Sequence, residues 1–334
     1  MKTLIIGTGV IGTIYGWALS AAGVDITHLV RKDRKQSYAD GIDLDIYDIR
    51  DKKSIVTISQ DLSRSTTEGC SEPEPYATKY YPRLVENAAE GGDYELIMLP
   101  TRHYQLVEAV KALEEKKASG TYLFFTNNWE GTAEIDRIVP RSRYLWGYAG
   151  SVGGFINNRM ILNVGRNYRI GLLEGNDIKK YQAVIDLFKK TGFEPDVQRN
   201  MIHWLWLHHA QIAAQIGSFI YFGGAKETLA SLENCKLMCR AVREAFAIVQ
   251  AKGVNLGDYQ TDTALYLNCE VKEVGKKLYA YLRTKWGQRS SEQSHLNTNQ
   301  QDLKIIFQDV YNTGKKLKLN MPCFDKLQFK LKCD

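Results

Sequence analysis

Apolar residues fall in short unbroken runs near the start of the chain and at helical spacing towards its end. Leu4-Ile5-Ile6 predicts a buried strand. Ile14, Trp17, Ala18, Ala21 and Ala22 follow at three- and four-residue steps and predict a helix that stops at Gly23. Ile26 to Val30 predicts a second strand, ending in Arg31. From Gly41 to Ile58 apolar and polar residues alternate (Ile42, Leu44, Ile46; Ile55, Thr57), which predicts short strands or a hairpin. Residues 59–92 turn to Ser, Thr, Glu, Pro, Tyr and paired Gly, and read as an irregular surface insertion or lid with one short helix around Leu84 to Ala89. Tyr94 to Leu99 and Thr121 to Thr126 read as buried strands, each followed by a helix, one to about Lys116 and one from Thr132. Two further strands are expected at Met160–Val164 and Tyr168–Leu172, and a helix from about Asp177 to Lys190. Glu194-Pro195-Asp196 looks like a boundary. Beyond it the pattern is helical, at roughly 201–222, 226–253, 258–284 and 298–316, with Cys239, Val242, Phe246 and Val249 as a core-facing stripe.

Strands alternating with helices argue for an α/β fold with a Rossmann-type, doubly wound parallel sheet. An all-helical domain is expected to follow it. The expected domains are residues 1–195 and residues 196–334. The first strand runs straight into Gly7-Thr8-Gly9-Val10-Ile11-Gly12, a G-x-G-x-x-G turn between a strand and a helix. Gly7 permits the sharp turn, Gly9 lets backbone approach a pyrophosphate, and Gly12 lets the helix pack closely on the strand. The start of the helix then offers unpaired N–H groups and partial positive charge to phosphate, with Val10 and Ile11 in its first turn. A carboxylate after the second strand would bind a ribose 2′-hydroxyl. This chain has Arg31, Lys32 and Arg34 there, and a guanidinium suits a 2′-phosphate, so NADP(H) is the expected cofactor. Ligands of doubly wound sheets sit beyond the carboxyl ends of the strands, so Arg31, Arg102 and Asn128 are expected to meet at one crevice.

At 334 residues the chain is long enough for two cores. A net charge of +6 can steer anionic ligands but is not gathered into a stripe for nucleic acid. The basic segments Lys315-Lys316-Leu317-Lys318 and Lys326 to Lys332 read as a solvated helix face. The glycine-broken N-terminal run does not read as a signal peptide, and no stretch approaches a membrane span, so a cytoplasmic protein is expected. Cys70, Cys235, Cys239, Cys269, Cys323 and Cys333 complete no zinc pattern, and no metal is expected.

These pieces, in this order, resemble the ketopantoate reductase (2-dehydropantoate 2-reductase) family. The turn GTGVIG with Arg31 is similar to that family's NADP-binding start. Arg102-His103-Tyr104-Gln105 resembles its Lys-x-x-Gln segment, with Arg102 in the lysine position and Gln105 keeping the glutamine. Asn128-Trp129-Glu130-Gly131 resembles its Asn-Gly-x-Gly segment. Arg289-Ser290-Ser291 matches its Ser-Ser motif, Asp302 stands where a substrate-binding Glu is expected, and Gly314 to Pro322 resembles its closing segment. The resemblance implies cofactor binding by Gly7, Gly9, Val10, Ile11, Gly12, Arg31, Arg102, Gln105 and Asn128. It also implies substrate binding by Asn128, Ser290 and Ser291. One feature departs from the family: no lysine occurs between Lys190 and Lys226, where a Trp-x-Lys-Leu-x-x-x-Asn helix would supply the general acid. Different alignments of Trp204, Trp206 or Ile202 place Trp206, His208 or His209 at that position. His208 or His209 could supply the proton that an alkoxide needs after hydride transfer, and Asp302 could hold a substrate hydroxyl. The expected function is NADPH-dependent reduction of a small 2-oxo acid, as a homodimer through the helical half. The alternative is an NADP(H)-binding sensor or scaffold of the same fold.

Overall fold

The computed structural model describes residues 1–51, 73–292 and 300–331. The chain divides into two compact units that part between Ile202 and His203.

The first unit begins β1 (Thr3–Ile6), α1 (Val10–Ala21), β2 (Ile26–Leu29), β3 (Ile42–Asp48), β4 (Tyr76–Tyr80), β5 (Leu84–Val85), β6 (Leu96–Leu99) and α2 (Leu106–Glu115). It continues β7 (Thr121–Phe125), α3 (Ala133–Asp136), β8 (Tyr144–Tyr148), β9 (Val152–Ile156), β10 (Arg159–Val164), β11 (Asn167–Gly171), α4 (Ile178–Lys190) and β12 (Glu194–Val197). Eight strands form one sheet in the order β12-β11-β8-β7-β6-β1-β2-β5. All neighbours run parallel except β11 and β8. The chain leaves β1 to one side for β2 and β5 and returns on the other side for β6, so the strand order reverses at β1. Four strands form a second sheet, β4-β3-β10-β9.

Helix α1 packs against β1 and β2 of the large sheet and against β9 and β10 of the small one. Double burial explains why it carries so few polar residues. Tyr15 on α1 meets Phe125 and Phe193 with ring centres 5.0 and 4.8 Å apart. Arg50, just past β3, pairs with Asp48 at 2.7 Å and donates to the Thr191 carbonyl at 2.6 Å. Its guanidinium lies 5.2 Å from the Trp17 ring and 5.1 Å from the Phe193 ring, which ties the small sheet to α1 and the end of α4.

Several expectations are corrected here. Residues 73–92 are not an irregular insertion: β4 pairs antiparallel with β3, β5 pairs parallel with β2, and only Ala88–Gly91 is a short 3-10 helix. Tyr and Thr suit the pleat, but the pairing partner lies far away in sequence. Residues 59–72 of that stretch, and Ile55 and Thr57, lie outside the described residues. The two strands expected around 160 and 168 belong to different sheets. Glu194-Pro195-Asp196 is edge strand β12, inside the first unit and not at its boundary. Proline is tolerated there because an edge strand leaves one side of its backbone unpaired.

The second unit, among the described residues, is helical: α5 (Met201–Phe222), α6 (Ala225–Ala230), α7 (Leu232–Ala251), α8 (Gln260–Leu267), α9 (Val271–Arg283), α10 (Lys285–Glu292), α11 (Gln300–Lys316) and α12 (Pro322–Gln328). The stretch 226–253 breaks at Ser231, whose hydroxyl accepts from the Asn234 amide and starts α7. The stretch 258–284 breaks after Asn268, and α9 begins beyond Glu270. Cys239, Val242, Phe246 and Val249 are all buried. Glu244 accepts from the Cys323 and Phe324 amides at 2.9 and 3.0 Å, capping α12.

His28 on β2 is fully buried, and burial pushes its imidazole down to about 4. An unfolded histidine takes its proton near 6.5, so acid favours the unfolded chain. The histidine's contribution is complete above pH 6.5 and drains away as pH falls to about 4, a loss of ~3 kcal/mol. Denaturant unfolding followed across that window should show this loss, and His28→Asn, which does not titrate, should show a smaller one.

Candidate dinucleotide site and the helical residues

The turn after β1 lies at the point where strand order reverses, the place where doubly wound sheets take ligands. Gly7 has a φ of +85°, which a side chain would strain, and its amide donates to the Leu29 carbonyl at 2.8 Å. Gly9 is the exposed N-cap of α1, in extended conformation, with no side chain capping the helix. A Cβ built on Gly9 meets nothing within 4 Å. At Gly12 the same construction meets the Gly7 carbonyl oxygen at 3.0 Å and Ile5 Cγ2 at 3.2 Å. The three glycines therefore have different jobs: the first turns the chain, the second leaves room, the third permits contact. The first-turn amides of Val10, Ile11 and Gly12 have no intrahelical acceptor and face that room with the positive end of the helix.

Beyond β2, Arg31, Lys32, Arg34 and Lys35 are all exposed. Among the described residues none forms an ion pair with Arg31. Asp33, at φ +63°, turns this loop into a short 3-10 helix, Lys35–Tyr38. The Lys35 amide donates to Glu86 Oε1 at 3.2 Å. Glu86 follows β5, the strand next to β2, and so holds the basic loop in place. Sequence reasoning missed it because β5 lay within what read as an insertion. Beyond β6, Arg102 and Gln105 are exposed on the connection to α2, and the Gln105 amide closes a turn on the Arg102 carbonyl at 2.9 Å.

Asn128 does not present a free amide. Its Oδ1 accepts from the Gly131 amide at 2.7 Å and its Nδ2 donates to the Gly131 carbonyl at 2.9 Å. The side chain closes the loop after β7 around Gly131, whose φ is +93°. Its neighbour Asn127 has a buried Oδ1 with no hydrogen-bond partner, and Thr101, at the end of adjacent β6, has a buried hydroxyl in the same condition. Two unsatisfied polar atoms at neighbouring strand ends, beside an open glycine turn, fit a polar ligand such as a dinucleotide. The clue in the sequence was the spacing: an Asn three residues before a Gly is the loop-closing one, which releases the Asn before it.

The helical residues form a separate set. His209 on α5 is fully buried, with Nε2 3.3 Å from Asp309 Oδ2 of α11. Asp309 was not singled out from the sequence, although it lies two helical turns from Asp302 on the same helix. The His208 ring instead stacks on Trp204, centres 4.8 Å apart and planes 16° apart. Trp204 Nε1 in turn donates to Asp262 at 3.1 Å. The two histidines thus face different partners, as adjacent helical residues must. Gln215 donates to the Tyr266 hydroxyl. Ser290, on α10, is hydrogen-bonded to Tyr281, whose phenol burial pushes up. Ser291 on α10 and Asp302 on α11 are half-buried.

Comparison with known proteins agrees with this architecture. The family model of ketopantoate reductase PanE/ApbA matches residues 3–170. A 2-dehydropantoate 2-reductase of Pyrococcus abyssi (strain GE5 / Orsay) is 25% identical over 215 residues, covering 62% of this chain and 59% of that protein. The match thus spans about three-fifths of that relative's length. A D-mandelate dehydrogenase solved with NADH and anilino(oxo)acetate superimposes with a TM-score of 0.68 at 14% identity, covering 99% of this chain and 97% of the other. A dimeric ketopantoate reductase from Staphylococcus aureus gives 0.62 at 13% identity, covering 99% of both chains. At such identities the structural likeness is one of fold.

The two asparagines should separate in a mutant pair. Asn128→Ala leaves the Gly131 amide and carbonyl without partners and should cost ~2 kcal/mol of stability. Asn127→Ala removes an oxygen that bonds nothing, so its melting temperature should match the wild type while its KM for dinucleotide or substrate rises. Thermal melts beside steady-state kinetics check both halves.

Proposed function

The chain belongs to the ketopantoate reductase PanE/ApbA family, and from that premise we propose that it reduces a small 2-oxo acid with NADPH. The family comprises oxidoreductases acting on CH–OH groups. The observation that carries the reading is the glycine turn at the start of α1, open above Gly9, with unpaired basic side chains beyond the neighbouring strand. The pyrophosphate is assigned to Gly7, Gly9, Val10, Ile11 and Gly12. The 2′-phosphate is assigned to Arg31, with Lys32 and Arg34 beside it. Arg102, Gln105 and Asn127 line the remainder, and Asn128 shapes the loop that carries Asn127. The relatives' names support an acid substrate, since dehydropantoate and oxoacetate each carry an oxo group next to a carboxylate.

The bound nicotinamide supplies a hydride to the ketone carbon, which leaves the oxygen in need of one proton. His209 is assigned as the source of that proton, in place of the family's lysine. Asp309 beside it stabilises the charged imidazolium and orients the ring. His208, stacked on Trp204, is a packing residue in this scheme. Ser290 and Ser291 are assigned to the substrate carboxylate and Asp302 to a substrate hydroxyl. A dimer through the helical unit belongs to the same proposal, and the ketopantoate reductase from Staphylococcus aureus is dimeric. The missing lysine favours a second reading, a protein that binds NADP(H) without turnover.

Three outcomes check the scheme. NADPH absorbance should fall with ketopantoate or another 2-oxo acid in a panel; tight NADPH binding without oxidation of any acid supports the second reading instead. Arg31→Ala should raise the KM for NADPH by about tenfold and leave that for NADH nearly unchanged, as expected for loss of one charged hydrogen-bond pair. Equal losses for the two cofactors contradict the 2′-phosphate assignment. His209→Ala should lower kcat by roughly a hundredfold or more, with His208→Ala close to wild type.

A further inference from the structure

His28 occupies a place in β2 where an apolar side chain would fill the same space without burying polar atoms. Its ring bridges two elements. Nδ1 lies 2.8 Å from the Gly7 carbonyl oxygen, and Nε2 lies 3.0 Å from the Tyr80 hydroxyl. A carbonyl only accepts, so Nδ1 carries the proton. Nε2 is then the acceptor, and Tyr80 donates to it. The Tyr80 oxygen lies 3.4 Å from Ser20 Oγ, which completes a short relay from α1 through β4 to the turn. Room for the ring comes from Gly16, where any Cβ would collide with it.

Gly7 is thereby held at both polar groups, its amide by the Leu29 carbonyl and its carbonyl by His28. In a trans peptide the next N–H points opposite to the carbonyl. Holding the Gly7 carbonyl toward β2 therefore turns the Thr8 N–H away from β2. We propose that His28 is a positioning residue for the dinucleotide turn, fixing the Gly7–Thr8 peptide so that the amides of the turn meet a phosphate, with Tyr80 donating to its Nε2. His28 itself touches no ligand. This rests on the dinucleotide reading above.

The test uses the full chain with His28→Leu, His28→Asn and Tyr80→Phe. NADPH affinity is measured by fluorescence titration, melting temperature separately, and the imidazole tautomer by nitrogen NMR. Asparagine places a donor where Nδ1 stood, and leucine does not. His28→Leu should weaken NADPH about tenfold, the scale of one lost hydrogen bond. His28→Asn should stay within about threefold of wild type, even if both variants lose similar melting temperature. Wild-type His28 and Tyr80→Phe should both show the Nδ1–H form alone, since the Gly7 carbonyl that fixes it is present in each. Affinities that follow melting temperature in both His28 variants, or a protonated Nε2 in the wild type, overturn the proposal. A wild-type protein that binds no NADPH overturns the dinucleotide reading and the proposal together, and is recognised before any variant is compared.

Discussion

At Gly12 the backbone of α1 comes so close to β1 that an added Cβ would stand 3.0 Å from the Gly7 carbonyl oxygen. The rest of the first unit depends on that approach. It sets α1 deep enough for Tyr15 to reach Phe125 and Phe193. It leaves the opposite side of the helix for the small sheet, where Gly153 of β9 has no Cβ to strike Val10. It also aims the open end of α1 across the carboxyl edge of the large sheet. The close packing at Gly12 and the open space at Gly9 are thus one geometric fact seen from two sides. A residue larger than glycine at position 12 would disturb both.

Much of this was legible because it is local. A strand, a glycine turn and a helix within 21 residues carry their own pattern, and the helical half shows its stripe at Cys239, Val242, Phe246 and Val249. What escaped the reading was non-local. β4 became a strand only through β3, some thirty residues away. β10 and β11 follow one another in sequence yet join different sheets. Glu86 matters because β5 lies beside β2, which no spacing announces. The difference between Asn127 and Asn128 was hidden for a subtler reason. Both residues are the right type at the right strand end, and the loop hydrogen bonds to Gly131 decide which one is free.

The two units contribute different chemistry. The first offers backbone amides, exposed cations and unsatisfied polar atoms at strand ends. The second holds a buried histidine beside an aspartate, His209 of α5 with Asp309 of α11. A carboxylate beside a buried histidine favours the charged ring, which is what the proposed proton donor requires.

A dinucleotide seated with its phosphates on the turn between β1 and α1 would cover the amides there. Residue-resolved amide hydrogen exchange tests this directly. The amides of Thr8 to Ile11 lie in the turn and the first helical turn, which lacks intrahelical acceptors, and should exchange fast in the free protein. Saturating NADPH should slow them strongly, together with the amides of the loop from Arg31 to Lys35. Exchange at Thr8 to Ile11 that is unchanged by NADPH would contradict the account.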